Sequence, residues 1–240
     1  MYIRTTPSEA DFDHSAAELI LAQMKSNPRS VIGLSTGRTT GAMHRILAEL
    51  WKSDPFDISG ITFFEIDEVT GIPASNPWAC RTKLRYEVLD ALGVTEDNFL
   101  TFPTQSDDFL KDGRRFVAEL EKRGGADLII LGLGENGHLG FNQPGTPFDS
   151  RMHLSTMDED LERRIREDCG LDPSVKLGGI TLGLSELMSA RRLVLAVKGA
   201  SKAGILEKVV NGPVTEDVPA SILQKHEDCM VLTDDKCLMI

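Results

Sequence analysis

Residues 127–131 read Asp-Leu-Ile-Ile-Leu, and residues 132–144 continue as Gly-Leu-Gly-Glu-Asn-Gly-His-Leu-Gly-Phe-Asn-Gln-Pro. The apolar run is typical of a buried strand, and the glycine-rich stretch behind it predicts a loop. Glycine permits positive backbone torsion angles and a close approach of the backbone to a ligand. Because ligands of open α/β sheets bind beyond the carboxyl ends of the strands, this loop is a candidate binding site.

His138 is the one titratable side chain of the turn between Gly137 and Gly140. Imidazole exchanges protons near neutral pH, which suits a general acid or base. The alternative is a tight turn in which the histidine only caps the loop, and this segment alone does not decide between the two.

Short apolar runs alternate with helical periodicity along most of the chain. Strands are predicted at residues 31–34, 61–66, 99–102, 127–131, 193–197 and 229–233. Helices are predicted around residues 43–50, 79–92, 158–168 and 201–210, and another from a Ser106 cap with the apolar stripe Leu110, Phe116, Val117 and Leu120. This alternation predicts an α/β fold: a single Rossmann-like domain over residues 1–240, with a mostly parallel sheet flanked by helices.

The chain has 240 residues, 37 of them acidic and 26 basic, for a net charge of −11. Non-specific nucleic-acid binding and adsorption to anionic membranes need a basic surface, so neither partner is expected. No signal peptide is visible, and the longest apolar runs fall far short of the roughly 20 residues that span a bilayer. We expect a cytoplasmic protein.

Four separate cysteines form no Cys-x-x-Cys pair, and the remaining histidines show no metal-ligand spacing. This spacing does not favour zinc or redox chemistry. We therefore expect neither a metal nor a cofactor.

Three further loops follow predicted strands. Residues 35–41 open a helix with Thr36, Gly37, Arg38 and Thr39, a combination that suits an anion. Its spacing is neither the Walker pattern nor the dinucleotide fingerprint, so nucleotides are not implied. The alternative is a helix start capped by Ser or Thr.

Asp67 and Glu68 follow the second predicted strand, where a carboxylate can act as a base; the alternative is an ordinary turn acid. Lys202 opens a helix after residues 193–197 and can point a cation at a phosphate; the alternative is a solvated lysine.

Parallel strands bring all four loops to one edge of the sheet. An anion cradle, a carboxylate, a histidine and a lysine suit a phosphorylated sugar undergoing acid–base chemistry.

These segments, in this order, resemble the glucosamine-6-phosphate and galactosamine-6-phosphate deaminase/isomerase family, within the superfamily that also holds 6-phosphogluconolactonases. The matching stretches are residues 34–40, 66–73, 132–144 and 199–202. The resemblance implies that Asp67 moves the C2 proton and that His138 opens the sugar ring. It also implies substrate or phosphate contacts at Thr36, Gly37, Arg38, Thr39, Glu68, Gly137 and Lys202.

The chain departs from the family pattern at several positions. Gln143 stands where the family has an acid that supports the histidine, and Asn136 stands where some members have aspartate. We count both amides with the catalytic group. The family's phosphate-binding arginine has no clean match, and counting cannot separate Arg163, Arg164 and Arg166. Cys80 and residues 178–183 look closer to the galactosamine-6-phosphate isomerase branch.

The expected activity converts a 2-amino-2-deoxyhexose 6-phosphate into a ketohexose 6-phosphate and ammonia. Two alternatives stay open: a hydrolase of the 6-phosphogluconolactonase type, and a sugar-phosphate-binding protein with impaired catalysis. The gluco or galacto configuration of the substrate is open, and so is assembly into a homo-oligomer.

Overall fold

The computed structural model describes residues 1–157 and 159–238. The strands are β1 (Tyr2–Thr6), β2 (Val31–Leu34), β3 (Thr62–Glu65), β4 (Asp67–Thr70), β5 (Phe99–Leu100), β6 (Leu128–Gly132), β7 (His153–Ser155), β8 (Gly178–Thr181), β9 (Leu193–Val197) and β10 (Cys229–Asp234). The α-helices are α1 (Glu9–Ser26), α2 (Gly41–Ser53), α3 (Cys80–Leu84), α4 (Asp90–Leu92), α5 (Phe109–Lys122), α6 (Glu159–Cys169), α7 (Leu184–Met188), α8 (Ala203–Asn211) and α9 (Asp235–Leu238). A π-helical segment, Arg85–Leu89, joins α3 to α4, and 3₁₀ turns cover Glu96–Asn98, Ala200–Lys202 and Pro219–Lys225.

Seven strands form one sheet in the order β1-β10-β9-β6-β2-β3-β5, and every neighbouring pair in it is parallel. Both faces of this sheet are covered. In β6, Ile129 and Leu131 belong to one hydrophobic cluster, whereas Leu128 and Ile130 belong to another. Successive side chains of a strand point to opposite faces, so continuous apolar runs follow directly from a doubly covered sheet. The predicted α/β class with a parallel sheet is confirmed.

A second sheet has three antiparallel strands in the order β4-β8-β7. This sheet has no clear signature in the sequence, because β4 is rich in polar residues and β8 begins with two glycines. Asp67 and Glu68 therefore do not lie in a loop. They start β4, which a single residue, Ile66, separates from β3, and Asp67 pairs with Thr181 of β8. A third small core of Val69, Ile72, Ala79, Phe141, Met157 and Ile165 lies beside this sheet.

Several local predictions are wrong. Asp108, not Ser106, caps α5 by accepting a hydrogen bond from the Lys111 amide. The Ser106 hydroxyl instead contacts the Asp112 carboxylate and the amide of Asp108. Leu110 is exposed, since it lies on the outer face of α5. Residues 101 and 102 lie beyond the end of β5. The predicted start of α6 at Asp158 lies outside the described residues.

Within the described residues, every helix is too short or too polar to cross a bilayer. The extent of the single domain over residues 1–240 stays a prediction.

Candidate active site

The four predicted segments, three loops and the start of β4, lie at one edge of the seven-stranded sheet. They follow β9, β6, β2 and β3, which are consecutive neighbours and run in the same direction. A methyl group added at Gly140 would lie 3.3 Å from Asp67 Oδ2, so the turn that carries His138 borders the carboxylate. The predicted convergence of the loops is confirmed.

The glycine loop is shaped around the imidazole of His138. A methyl group at Gly134 would lie only 2.3–2.4 Å from three ring atoms of His138, so the ring rests directly on the Gly134 backbone. The Gly134 amide also donates a hydrogen bond of 3.0 Å to the His138 carbonyl, which closes the turn. Gly137 has a φ of 88°, a conformation that favours glycine. Two glycines of the motif therefore hold the histidine in place.

Asn136 orients the imidazole. Its side-chain oxygen lies 2.7 Å from His138 Nδ1 and also accepts the His138 amide at 3.2 Å. Its side-chain nitrogen donates to Gln143 Oε1 at 3.1 Å, which sets the orientation of the Asn136 amide. Because an amide oxygen only accepts, Nδ1 carries the ring proton. Nε2 is then the nitrogen that can take a proton from a substrate.

The pKa of the Asp67 carboxyl suits proton transfer near neutral pH. Its side chain is half-buried at the first position of β4. Burial, and next the neighbouring Glu68 charge, raise the pKa of Asp67 to about 7, while Lys83 acts in the opposite direction. A base works best when its pKa lies near the working pH, so this carboxylate fits that role.

The carboxylates on either side of Asp67 are buried. Glu68 accepts hydrogen bonds from the amides of Val69, Cys80 and Arg81, at 2.7, 2.7 and 3.0 Å. We therefore assign Glu68 to holding the start of α3, rather than to binding substrate. Burial and the Glu68 charge raise the pKa of Glu65 well above its usual value.

The loop after β2 and the turn before α8 carry the candidate anion contacts. Thr36 and Thr39 are half-buried, and Gly37 and Arg38 are exposed. No side chain caps α2 at Thr40, so the alternative of a Ser- or Thr-capped helix start is not observed. Across the crevice, burial lowers the pKa of the half-buried Lys202. The Glu135 carboxylate opposes this shift and the Arg38 guanidinium adds to it, so both lie near Lys202.

The three arginines that counting could not separate all lie on α6. Arg163 pairs with Asp160 at 2.7 Å, and Arg164 Nε donates to the Asp160 carbonyl at 3.3 Å. Arg166 pairs with Glu162 at 2.6 Å and donates to the Val175 carbonyl at 2.8 Å. These contacts lie within α6 and the segment behind it, so the structure does not single out a phosphate ligand among them.

Three residues near the site were not among the predicted site residues. Cys80 lies between Thr36 and Asp67, Lys83 acts on the Asp67 carboxylate, and Glu135 acts on Lys202. The position of Glu135 inside the glycine loop was a usable signal. The placement of Cys80 and Lys83 depends on how α3 packs. Among the described residues, no group of three His, Cys, Asp or Glu side chains could hold a metal ion.

Known proteins resemble this chain over nearly its whole length. A glucosamine-6-phosphate deaminase from a Thermoanaerobacter species is 30% identical over 234 residues, covering 98% of this chain and 92% of the relative. The enzyme of the same name from Halalkalibacterium halodurans is 32% identical over 230 residues, covering 95% and 93%.

Solved structures share the fold. A monomeric glucosamine-6-phosphate deaminase superposes with a TM-score of 0.91 at 29% identity, covering 99% of this chain and 98% of the other. A 6-phosphogluconolactonase from Thermotoga maritima superposes with a TM-score of 0.78 at 18% identity, covering 98% and 99%. Residues 7–232 match the family described as glucosamine-6-phosphate isomerases/6-phosphogluconolactonase, and the chain belongs to that family.

Proposed function

We propose that this protein is an amino-sugar-phosphate deaminase and isomerase. It would convert a 2-amino-2-deoxyhexose 6-phosphate and water into the ketohexose 6-phosphate and ammonia. The observation that carries this proposal is the Asp67 carboxyl, with a pKa of about 7, bordering the turn that presents His138. A base of this strength beside an imidazole suits proton transfer at a sugar carbon. Relatives named glucosamine-6-phosphate deaminase over most of this chain support the same chemistry.

The reaction begins with opening of the sugar ring. His138 takes the proton of the O1 hydroxyl at Nε2 and delivers a proton to the ring oxygen as the C1–O5 bond breaks. The Nδ1–H of His138 stays on the Asn136 oxygen, which leaves Nε2 as the nitrogen that exchanges protons with the sugar. The product of this step is the open-chain aldehyde.

Asp67 then isomerises the open chain. Its carboxylate removes the C2 proton while O1 takes up a proton from solvent, which gives an enolamine with a double bond between C1 and C2. The carboxylic acid returns the C2 proton to C1, and the C2 amine releases a proton to solvent as it becomes an imine. Water adds to the C2 imine and ammonia leaves, which yields the ketone. No step requires a Schiff-base lysine, so we assign Lys202 to the phosphate.

The phosphate is assigned to the loop after β2 and to Lys202. Main-chain amides and hydroxyls of Thr36 and Thr39 can donate to its oxygens, and Arg38 and Lys202 supply positive charge. The effect of the Arg38 charge on Lys202 supports a shared anion position between them.

The configuration at C4 is the finer part of the proposal. We include both glucosamine 6-phosphate and galactosamine 6-phosphate as substrates to be tested. Cys80 and residues 178–183 resemble the galactosamine branch, whereas the relatives compared above are named for glucosamine.

A lactonase is the second candidate, and Gln143 is the observation that favours it. Hydrolysis of a sugar-phosphate lactone needs a histidine that activates water, and it does not need the acid that Gln143 replaces. A protein that only binds sugar phosphates is the third reading. The raised pKa of Asp67 counts against a protein that only binds, because binding alone needs no base near neutral pH.

One panel separates the three readings. The purified chain is incubated with glucosamine 6-phosphate, galactosamine 6-phosphate, their non-phosphorylated sugars and 6-phosphogluconolactone. Ammonia and ketose are detected by coupled enzymes, and acid release from the lactone by pH-stat. We expect ammonia and ketose in equal amounts from at least one phosphorylated amino sugar. Acid release from the lactone without ammonia would replace the deaminase proposal, and binding without any product would support the third reading.

A further inference from the structure

The thiol of Cys80 lies between the loop after β2 and the proposed base. Thr36 Oγ1 donates to Cys80 Sγ at 3.1 Å, and Cys80 Sγ lies 4.0 Å from Asp67 Oδ1, with the thiol as the donor. Sulfur is large and polarizable, and S–H is a weak donor that bonds at longer distances than O–H. One side chain therefore contacts both the predicted phosphate loop and the predicted base.

The position of Cys80 is fixed by the carboxylate next to Asp67 in the chain. Ala79 precedes α3 and offers no side-chain cap, and Glu68 accepts the amides of Cys80 and Arg81 instead. Since Glu68 is fully buried and adjoins Asp67, the start of α3 and the base are held together. Asp67, Glu68 and Cys80 close a small ring of covalent and hydrogen bonds.

Cys80 stays a neutral thiol throughout the working range of the enzyme. Its side chain is buried, and burial together with the charges of Glu68, Asp67 and Glu65 raises the pKa of the Cys80 thiol well above its usual value. A neutral thiol retains its proton and can donate it to an ionised carboxylate: to Asp67, whose Oδ1 lies 4.0 Å from the sulfur, or to Glu68, whose pKa a hydrogen bond from the Cys80 side chain lowers. A thiolate would repel that carboxylate.

We propose that Cys80 is a positioning residue, whose S–H group orients the Asp67 carboxylate and whose sulfur ties that carboxylate to Thr36 of the phosphate loop. The inference rests on the proposed function, because it gives Asp67 the role of base. A donor to the ionised carboxylate favours the form that removes the C2 proton. The link through Thr36 also joins the part of the site that holds the phosphate to the part that performs the chemistry.

Loss of the Cys80 S–H donor should shift the pH profile of the enzyme in a definite direction. Without the S–H group the ionised form of Asp67 is less favoured, so its pKa rises. The rising limb of kcat/KM against pH should then move to higher pH. We expect a shift of about 0.5–1 pH unit, the equivalent of one weak hydrogen bond. A purely structural role would lower the rate or the stability and leave the limb in place.

The experiment compares Cys80→Ala and Cys80→Val, which remove the donor, with Cys80→Ser, which keeps one. Cys229→Ala is the matched control, because Cys229 is a buried thiol at the opposite, amino-terminal end of a parallel strand. We expect the limb to move upward in the alanine and valine variants and to stay at its wild-type position in the other two. A limb that does not move in the donorless variants, or that moves equally in Cys229→Ala, overturns the proposal.

An infrared titration of the wild-type protein gives a second reading that needs neither turnover nor a donorless variant. The S–H stretching band of Cys80 is assigned as the band that Cys80→Ser lacks. It should shift as Asp67 titrates near pH 7, and that shift should be lost in Asp67→Asn. A band that is insensitive to pH through this range overturns the contact. Absence of ammonia from the wild-type protein would instead refute the proposed function and leave the infrared result to stand by itself.

Discussion

The side-chain amide of Asn136 donates a hydrogen bond of 3.1 Å to Gln143, so the two amides form a pair beside His138. The other end of Asn136 lies on His138 Nδ1, at 2.7 Å. The Nδ1 side of the imidazole is thus oriented by an amide dipole. An amide oxygen holds the ring in one tautomer but stabilises the imidazolium less than a carboxylate does.

We expect Gln143→Glu to raise the deamination rate. A carboxylate at this position accepts the same hydrogen bond from Asn136 and adds a negative charge that favours protonated His138. The imidazolium that forms between the two proton transfers of ring opening is then stabilised, so the acid-dependent limb of the rate profile should extend to higher pH. Asn27→Asp is the control, since it adds the same charge where α1 ends and keeps the acceptor for the Arg29 amide. An unchanged or lower rate in Gln143→Glu would favour the lactonase or the binding protein.

Asp67→Asn should reduce kcat by about two to four powers of ten, the usual contribution of a positioned acid–base group. The amide keeps the shape of the side chain and cannot accept the C2 proton. Ammonia release and exchange of the C2 proton with deuterated solvent measure the two consequences separately. Asp97→Asn makes the same change at an exposed position in the 3₁₀ turn before β5 and should be silent. Normal C2 exchange in Asp67→Asn would remove this residue from the role of base.

The raised pKa of Asp67 also predicts how activity and stability respond to pH. The base must be ionised, so the wild-type rate should fall as the pH drops below about 7. The folded state binds this proton more tightly than the unfolded chain, where the pKa is near 3.8. The contribution of Asp67 to wild-type stability should therefore decrease as the pH rises from 3.8 to about 7. The difference in Tm, Asp67→Asn minus wild type, should be larger at high pH than at low pH. A difference that shrinks with rising pH would contradict the burial of this charge.

The parallel sheet could be predicted because its physical cause is local. Residues 128–132 are covered on both faces, and a strand covered on both faces must be apolar at every position. The convergence of the loops then follows from strand direction alone. The antiparallel sheet has no such signature: β4 begins with two acids and β8 with two glycines, and pairing between them depends on the surrounding fold.

The candidate site was predictable in part for the same reason. Asp67, His138 and Lys202 each follow a strand in sequence, so their placement at one edge needs only the order of elements. Cys80 enters the site through a helix start that the Glu68 carboxylate caps from 12 residues away. No local pattern encodes that contact, since it depends on how α3 packs against the end of β3.

Lys202→Ala should weaken sugar-phosphate binding by roughly 1.5–3 kcal/mol, the range for a hydrogen bond to a charged group. This corresponds to a factor of about 10–150 in Kd, measured by isothermal titration with the phosphorylated sugar. Lys208→Ala, an exposed lysine in the last turn of α8, should bind as wild type does. The assignment is refuted when the non-phosphorylated sugar binds the wild-type protein as well as the phosphorylated one.

Gly134→Ala should impair ring opening without unfolding the protein. Its methyl group would lie 2.3–2.4 Å from the imidazole, so His138 must move off the loop. Gly204→Ala in α8 is the matched control, because nothing lies within 4 Å of its methyl position and alanine favours helix. We expect a large loss of kcat in the first variant and equal or higher Tm in the second. Wild-type turnover by Gly134→Ala, measured as ammonia release, would show that the position of this ring is unimportant.

The three carboxyl groups at the end of β3 have a consequence for the arrival of substrate. The chain carries a net charge of −11 when every acid is counted as ionised. Burial, however, raises the pKa of Glu65, Asp67 and Glu68, so this part of the crevice is less negative than the count suggests. A dianion that diffuses toward the protein is repelled by the surface at long range. Near the site Arg38 and Lys202 supply positive charge close to one another, so capture depends on the local field and not on the overall charge.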